Sequence, residues 1–453
     1  MRRLLVAWSW VALTTSAFAN GRPPGTSTIT FRPGQESTIA AGTSFGLLIS
    51  NDGGVTWNWM CEDALPYGGA YDPDYTLLSS GTLFATTFEG LKANRDGCVF
   101  DSVLAPPPPG QKFFSTTTRG PDQALYVAAS DPSDGKVYKS TDDGMTFPTS
   151  SLPGQLADWW QSLEVAPSDA SRLYLAGFRF VQTPTGAAKV LLLYTSTDGG
   201  TSWTPLPVYD FTSMSNSTLD IVGVSKTDAN TVYARVSLAD NVASGAIYKS
   251  TDGGASWVPI LGKPSSIAFL VRANGDLVAG TQTQGAFVST NGGETWTALV
   301  GAPHINCLVE NTAGEVWACT QNYGSPQVPT DGFGIMKSTD LSTWTGVLRY
   351  QDINQPVACP ASTPQYTKCD RNPNPAAGWC GLCAQLGCDP KRPCSNDLPD
   401  DPPDAQPVDA GSSGGSHTGT GGGCCDTRAG RAPSALALAT ALGVLLLRRR
   451  RRG

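Results

Sequence analysis

The chain contains 453 residues, of which 38 are acidic and 31 are basic, giving a formal net charge of −7 at pH 7. This acidic balance argues against nucleic acid as a partner, because binding to phosphates requires a basic surface. The two histidines offer few nitrogen ligands, and we expect neither a metal nor a cofactor.

The N-terminus has the pattern of a secretory signal peptide. Two arginines follow the initiating methionine, an apolar stretch covers residues 4–18, and a small-residue cleavage pattern ends at Ala19. We therefore predict that residues 1–19 are removed and that the mature protein is secreted.

A Ser-x-Asp-x-Gly-x-Thr-Trp motif, complete or degenerate, occurs seven times at intervals of 39 to 56 residues. Clear copies occupy residues 50–57, 196–203 and 250–257, near copies occupy 140–147 and 289–296, and shortened or worn copies occupy 338–344 and 93–100. A repeat of this length indicates one supersecondary unit used seven times. We therefore predict an all-β fold, a seven-bladed β-propeller of four-stranded antiparallel blades over residues 24–350.

Short apolar runs lie between the motifs and are separated by turn residues. In the fourth repeat these runs cover residues 162–166, 172–176 and 190–194, which is typical of strands. We place each motif in the turn between a blade's third and fourth strands, where a carboxylate accepts backbone N–H bonds and glycine takes positive φ without cost. A structural role is therefore expected at the aspartate position, which holds Asp52, Asp142, Asp198, Asp252, Asn291 and Asp340.

These motifs resemble the Asp-box (BNR) repeats of sialidases, sortilin-type receptor domains and xyloglucanase-type glycoside hydrolases. Four aspartates match the family's motif, whereas Asn291 and the shortened copy at Asp340 depart from it. The resemblance implies that the boxes lie on the face away from the ligand site. It does not choose between an enzyme and a binding module, because these families include both.

Three segments follow the predicted propeller. Residues 359–394 hold six cysteines, residues 395–423 form an Asp/Pro-rich and then Gly/Ser-rich linker, and residues 424–453 combine Cys424 and Cys425 with an apolar run and terminal arginines. The last segment resembles the Myxo-CTERM sorting signal, which implies processing near Cys424 or Cys425 and retention at the cell surface. The alternative is an unprocessed transmembrane helix, which also places the propeller outside the cytoplasm.

The twelve cysteines indicate an oxidising compartment. Cys307 and Cys319 flank a hairpin whose tight turn places them opposite each other, so we predict a disulfide between them. Cys61 and Cys98 are the other two cysteines of the propeller region, and we predict that they pair. The six cysteines of residues 359–394 are predicted to form a knot of three disulfides rather than a zinc site, because neither histidine lies near them.

Candidate ligand residues are sought in the loops opposite the boxes, because binding concentrates on loops carried by a rigid scaffold. Asp158, Trp159 and Trp160 enter blade four, where two adjacent indoles beside a carboxylate would form a platform for a sugar. The alternative is that one of these indoles packs between blades. Further candidates, chosen by position, are Glu62, Asp63 and Tyr67 before blade two, Arg179 and Lys189 in blade four, the polar loop 210–220, and Tyr323 and Asp331 in blade seven.

A complete catalytic set is not recognisable in the sequence. Glycoside hydrolysis requires two carboxylates at a set separation, and spacing selects no pair from Asp63, Asp158, Asp210, Asp240 and Asp331. We therefore predict a surface-anchored, monomeric, non-catalytic propeller that binds an extracellular glycan or protein. The alternatives are a surface-anchored glycoside hydrolase, sialidase-like or endo-acting, and a purely structural envelope protein.

Overall fold

Seven sheets, each built from four consecutive antiparallel strands, form the blades of a β-propeller, which confirms the predicted fold class. The computed structural model describes residues 23–65, 72–104, 113–131, 133–184, 186–208, 211, 217–238, 245–263, 266–374 and 376–388. The predicted signal peptide, linker and sorting segment lie outside the described residues, as do Tyr67, Asp210, Asp240, Cys394, Cys424 and Cys425. No helix within the described ranges is long and apolar enough to cross a bilayer.

The strands of the first four blades follow one another along the chain. Blade one consists of β1 (Thr26–Phe31), β2 (Ile39–Thr43), β3 (Gly46–Ser50) and β4 (Asn58–Met60). Blade two consists of β5 (Tyr75–Leu77), β6 (Leu83–Thr87), β7 (Gly90–Asn94) and β8 (Phe100–Leu104). Blade three consists of β9 (Phe114–Arg119), β10 (Leu125–Ala129), β11 (Val137–Ser140) and β12 (Thr149–Ser151). Blade four consists of β13 (Trp159–Val165), β14 (Leu173–Thr183), β15 (Gly186–Ser196) and β16 (Thr204–Pro205).

The last three blades have the same order and are followed by a short C-terminal region. Blade five consists of β17 (Ser217–Val224), β18 (Val232–Leu238), β19 (Gly245–Ser250) and β20 (Val258–Lys263). Blade six consists of β21 (Ser266–Val271), β22 (Leu277–Thr281), β23 (Ala286–Ser289) and β24 (Thr297–Leu299). Blade seven consists of β25 (Cys307–Glu310), β26 (Val316–Cys319), β27 (Ile335–Ser338) and β28 (Thr345–Leu348). The region after it contains β29 (Gln355–Pro356), a helical turn (Gln365–Asp370) and α1 (Gly378–Leu386).

The core lies between the blades. The first strands of neighbouring blades contact one another around the central axis, and several second strands, β2, β6, β10 and β22, are buried along their whole length. Both faces of such a strand are covered by other blades, which explains why apolar runs are continuous rather than alternating. The worn motif at residues 93–100 also closes a complete blade, since β8 pairs with β7.

Antiparallel pairing places the motif turns at one end of the propeller. In every blade the turn from first to second strand and the turn from third to fourth strand lie at the same end, because successive strands reverse direction. We call this end the box face, because the third-to-fourth turns hold the motifs. The other end, called the opposite face, carries the entry to each first strand and the turn from second to third strand.

Side chains close the ring between blades one and seven, because neither blade exchanges a strand with the other. The hydroxyls of Thr26 and Tyr350 are 2.8 Å apart, and the Phe31 ring meets Trp317 edge-on with ring centres 5.3 Å apart. The chain then continues into β29, which adds a parallel fifth strand beside β4 at the outer edge of blade one. We call residues 355–388 the clasp, since they tie this closure together.

Two disulfides join the clasp to the propeller, Cys61–Cys369 and Cys98–Cys359. The predicted Cys61–Cys98 disulfide is therefore wrong. Cys61 directly follows β4 on the opposite face, whereas Cys98 lies in the second motif on the box face. The length of a strand separates these two cysteines, which is farther than a disulfide can reach.

The hairpin of β25 and β26 carries the Cys307–Cys319 disulfide, and the two cysteines are directly opposite in its register. This prediction is confirmed.

The predicted knot of three disulfides after the propeller is wrong, because two of its six cysteines bond to blades one and two. Within the clasp the structure shows Cys383–Cys388.

The clasp packs on blades one and seven through aromatic and amide side chains. Trp379 of α1 lies against Trp59 with ring centres 5.9 Å apart. The Gln365 amide donates to the backbone carbonyl of Trp59 at 2.9 Å, and the Tyr323 hydroxyl donates to the Leu386 carbonyl at 2.6 Å. The cysteine-rich region is thus held against the propeller by side chains as well as by disulfides.

Candidate functional site

The motif turns use their polar side chains to hold their own backbone. In the first copy the Ser50 hydroxyl donates to Asp52 at 2.8 Å and accepts from the Gly54 amide at 2.9 Å. The Asp52 carboxylate also accepts from the Thr56 amide at 2.9 Å and from its hydroxyl at 2.6 Å. The same pattern recurs in the third, fourth and fifth motifs. The aspartates of these four motifs are therefore engaged in hydrogen bonds that hold their own turns.

These bonds also keep the motif carboxylates ionised. Hydroxyl and amide donors lower the pKa of Asp142, Asp198 and Asp252 to about 2. In the shortened seventh motif Asp340 still accepts from two backbone amides, and those bonds lower its pKa as well. Leu341 takes the glycine position there with a φ of 63°.

On the opposite face, Asp158 is fully buried and paired with Arg179. The guanidinium bonds both carboxylate oxygens, with Nε 2.5 Å from Oδ1 and Nη2 2.7 Å from Oδ2. The Gln155 amide also donates to Oδ2 at 2.7 Å. This carboxylate has no exposed oxygen for a substrate, so its role is to fix the entry of blade four.

Trp160 belongs to the core rather than to a ligand platform. It is 2% exposed, its indole N–H donates to the Gly135 carbonyl at 2.8 Å, and its ring meets Tyr194 edge-on. Trp159, the next residue back on β13, faces the other way and is half-buried. The predicted platform of two adjacent indoles is therefore wrong for Trp160, because neighbouring residues of a strand point to opposite sides.

Trp159 instead takes part in a series of five rings from three blades, which we call the aromatic row. The row runs from blade two to blade four through Phe88, Phe113, Trp159, Phe178 and Phe180. Successive ring centres are 4.5, 6.2, 6.4 and 5.4 Å apart. The first four rings are half-buried, and Phe180 is 60% exposed.

The hairpin of β14 and β15 carries one end of the aromatic row. Each of its strands has 11 residues, and β13 pairs with β14 only as far as Phe178, so the hairpin extends beyond the blade. Lys189 lies opposite Phe180 in the register, with its ammonium 4.2 Å from the Phe178 ring centre. Burial lowers the pKa of Lys189, and the nearby Asp220 partly offsets this effect.

The other predicted residues do not join this group. The Tyr323 hydroxyl donates a hydrogen bond to the clasp, and burial raises the pKa of Tyr323 to about 12. Asp331 accepts from the Gln321 amide and lies 2.9 Å from Nδ1 of His304. The remaining predicted residues of the described chain, Glu62 and Asp63, form a short helical turn after Cys61. The structure therefore brings together only Asp158, Trp159, Arg179 and Lys189.

The central axis holds Glu164, an acid with a raised pKa. Glu164 lines a cavity of about 390 Å³ that also borders Lys226 and Glu310. Burial raises the pKa of Glu164 to about 7, with a further contribution from Asp74. This cavity lies toward the box face, so Glu164 and the aromatic row do not form one site. Among the described residues no group of three or more His, Cys, Asp or Glu side chains is arranged to hold a metal.

Sequence reasoning missed four of the five rings of the aromatic row. Phe178 and Phe180 are two residues apart, so a continuous β14 places both on one face, and this alternation was a readable signal. Phe88 and Phe113 come from two other blades, and only the folded chain brings them beside Trp159.

Comparisons with known proteins agree with the repeat. A family model described as BNR/Asp-box repeat matches residues 287–298, which contain the whole sixth motif. A xyloglucanase from Paenibacillus sp is 26% identical over 231 residues, covering 50% of this chain and 20% of that enzyme. The matched segment therefore spans only a fifth of that relative's length.

Solved structures with some likeness to the chain have low TM-scores. The GH74 xyloglucanase from Xanthomonas campestris has a TM-score of 0.35 and 16% identity, covering 70% of this chain and 57% of its own. YCF48 from Cyanidioschyzon merolae has a TM-score of 0.44 and 14% identity, covering 69% of this chain and 95% of its own. TM-scores of this size do not indicate the function of this chain.

Proposed function

Taking the chain as a BNR/Asp-box-type propeller, we propose that it is a non-catalytic module whose aromatic row binds a glycan. The observation that carries this proposal is the series of five rings from three blades, which ends in the 60% exposed Phe180. Aromatic rings offer large apolar faces at little entropic cost, and sugars present apolar C–H faces that stack on them. Ring-to-ring steps of 4.5 to 6.4 Å suit an extended chain of sugar units. The name of the 26% identical relative, a xyloglucanase, supports a glycan as the ligand class.

The carboxylates near the aromatic row support binding rather than hydrolysis. Asp158 is fully buried against Arg179, and the Asp220 carboxylate is paired with Arg235 at 2.8 Å. A glycosidase needs one carboxyl to donate a proton and a second to act as base or nucleophile. Carboxylates that are each bound to a guanidinium are poorly suited to either task.

We also place this binding outside the cytoplasm, at the cell surface. Disulfides persist in oxidising compartments, and the described residues contain Cys61–Cys369, Cys98–Cys359 and Cys307–Cys319. The signal-peptide pattern and the C-terminal sorting pattern point the same way. Both terminal segments lie outside the described residues, so this location remains part of the proposal.

A glycan array followed by calorimetry tests the proposal. Xyloglucan and its oligosaccharides are the first probes, and a panel of other plant and bacterial glycans follows. We expect Trp159→Ala and Phe180→Ala each to weaken binding about tenfold, which is the effect of losing a central aromatic contact. Trp160 should not be used as a probe, because its replacement would disturb the core.

Val258→Ala is the matched control, because Val258 is 58% exposed and begins its strand on the box face. It should leave glycan binding unchanged. Reducing ends released from the bound glycan would support the glycoside hydrolase alternative instead. If no glycan binds, or if Phe180→Ala and Val258→Ala behave alike, the aromatic row is not a glycan site.

A further inference from the structure

A pocket lies between blades one and two on the box face, far from the aromatic row. It encloses about 440 Å³ and is bordered by the motif turns of both blades and by clasp residues 355, 357 and 358. We call it the interblade pocket. Its volume is within the range of small-molecule sites, and three separate parts of the chain meet at its walls.

One buried donor in the interblade pocket has no partner. Asn94 is 5% exposed and lines the pocket. Its Oδ1 accepts from the Gly97 amide at 2.7 Å, which fixes the orientation of the side chain. Its Nδ2 is buried and has no hydrogen-bond partner among the described residues. An unpaired buried amide costs about 1–3 kcal/mol, so an acceptor brought by a ligand would relieve this cost once a small shift of the side chain brings Nδ2 to the pocket surface.

The remaining polar lining is rich in amides and lacks carboxylates. Asn51, Asn58 and Gln355 border the pocket, together with the guanidinium of Arg32. Arg32 is held in place because its Nε and Nη2 donate to the carbonyls of Ser79 and Ser80 at 3.0 and 2.9 Å. In a chain with a net charge of −7, a pocket without an acidic side chain disfavours cations.

Amide side chains fit hydroxyl groups closely. Each amide has an acceptor oxygen and a donor nitrogen in one plane, and neighbouring hydroxyls of a sugar both donate and accept. Leu77 and Val357 add apolar surface to the same pocket, which suits the C–H face of a sugar ring. A single guanidinium is too little charge for a phosphorylated ligand, which is usually held by several cationic or backbone donors.

We propose that the interblade pocket binds a neutral mono- or disaccharide, with Asn94 donating from Nδ2 to one of its oxygens. This site is independent of the glycan site on the opposite face. A bound sugar there contacts blade one, blade two and the clasp at once.

The repeat itself supplies a conservative variant. Asn94 ends β7 as Ser50 ends β3, so Asn94 stands in the place of the motif serine. In blade one the Ser50 hydroxyl accepts from Gly54 at 2.9 Å. Asn94→Ser therefore keeps an acceptor for the turn while it removes the amide from the pocket. Gln355→Ala is a second variant, since it shortens a lining side chain on β29 without touching the motif.

The test is a titration of the full chain with glucose, xylose, galactose and cellobiose, followed by ligand-observed NMR and calorimetry. We expect at least one of these sugars to bind with a Kd of about 1 mM or tighter. Asn94→Ser and Gln355→Ala should each weaken this binding about tenfold, while Val258→Ala should leave it unchanged.

Two results would overturn the proposal. One is the absence of binding by all four sugars at about 10 mM, ten times the expected Kd. The other is binding that both pocket variants leave intact. Sugar binding lost in Trp159→Ala but not in Asn94→Ser would belong to the aromatic row, so the two sites are tested separately.

Discussion

At the scale of single residues, the motif aspartates act as acceptors whose donors are supplied by their own turn. Asp198 accepts from the hydroxyls of Ser196 and Ser202 and from the Ser202 amide. In the sixth motif Asn291 keeps the acceptor on Oδ1 and donates from Nδ2 to Thr295 at 2.9 Å. The turn therefore requires one acceptor oxygen and tolerates a donor at the other position.

Asp198→Asn is expected to destabilise the protein at neutral pH and to lose its effect in acid. The folded-state pKa of Asp198 is about 2, below the ordinary value of about 3.9. Its carboxylate therefore stabilises the fold above about pH 4, and this contribution is lost as the pH falls toward 2. Because the group is exposed, we expect a loss of only about 1 kcal/mol at pH 7, measured by urea unfolding at pH 7 and near pH 2.

Asn291→Asp is the matched control, because it restores the usual residue in the sixth motif. It should raise the free energy of unfolding at pH 7 and have little effect near pH 2. A loss from Asp198→Asn of equal size at both pH values would contradict the ionic origin of the effect.

At the scale of elements, the β14–β15 hairpin departs most from the repeat. Its strands have 11 residues, whereas β10 and β11 in the preceding blade have five and four. The Arg179–Asp158 pair lies where the hairpin leaves the blade, with exposed fractions of 21% and 0% for the two side chains. The pair therefore anchors the segment that carries Phe178 and Phe180.

Arg179→Met is expected to lower the free energy of unfolding by about 3 kcal/mol, because it leaves a buried carboxylate without its partner. Urea unfolding measures this loss. The double variant Arg179→Met/Asp158→Asn should lose less than the single variant, since it removes the uncompensated charge. An additive double variant would show that the two side chains do not interact.

Sequence patterns predict this element only in part. The apolar run 190–194 indicated β15. The prediction that Arg179 and Lys189 lie in the loop between the second and third strands is wrong, because both residues belong to the paired strands β14 and β15. Predicting which of Trp159 and Trp160 is buried requires the register of β13, which contains a bulge between Trp160 and Ser162. Local pattern cannot supply that register, because it depends on how β14 pairs with the strand.

At the scale of the whole molecule, the sequence predicted the number of blades but not how the clasp ties the ring together between blades one and seven. Seven motifs count the blades directly, because each motif joins the third and fourth strands of one blade. The partners of Cys61 and Cys98 lie 308 and 261 residues away. The spacing of cysteines along the chain does not indicate such pairs, because they form only once the clasp packs against blade one.

Removing both clasp disulfides is expected to destabilise the protein three to four times as much as removing Cys307–Cys319. The physical reason is loop entropy, since the clasp disulfides close loops of 308 and 261 residues and the hairpin disulfide closes one of 12. Cys369→Ala/Cys359→Ala and Cys307→Ala/Cys319→Ala are the variants to compare by guanidinium unfolding. Equal losses would show that the clasp does not constrain the unfolded chain.

The clasp also determines how a mechanical pull on the C-terminal end travels through the protein. In a ring of consecutive blades without it, tension on the last strand would peel β28 from β27 one hydrogen bond after another. Here the pull passes through the Cys61–Cys369 bond into blade one before it reaches blade seven. Tension from a tether on that side is therefore taken by covalent bonds, and the last blade is shielded from unzipping.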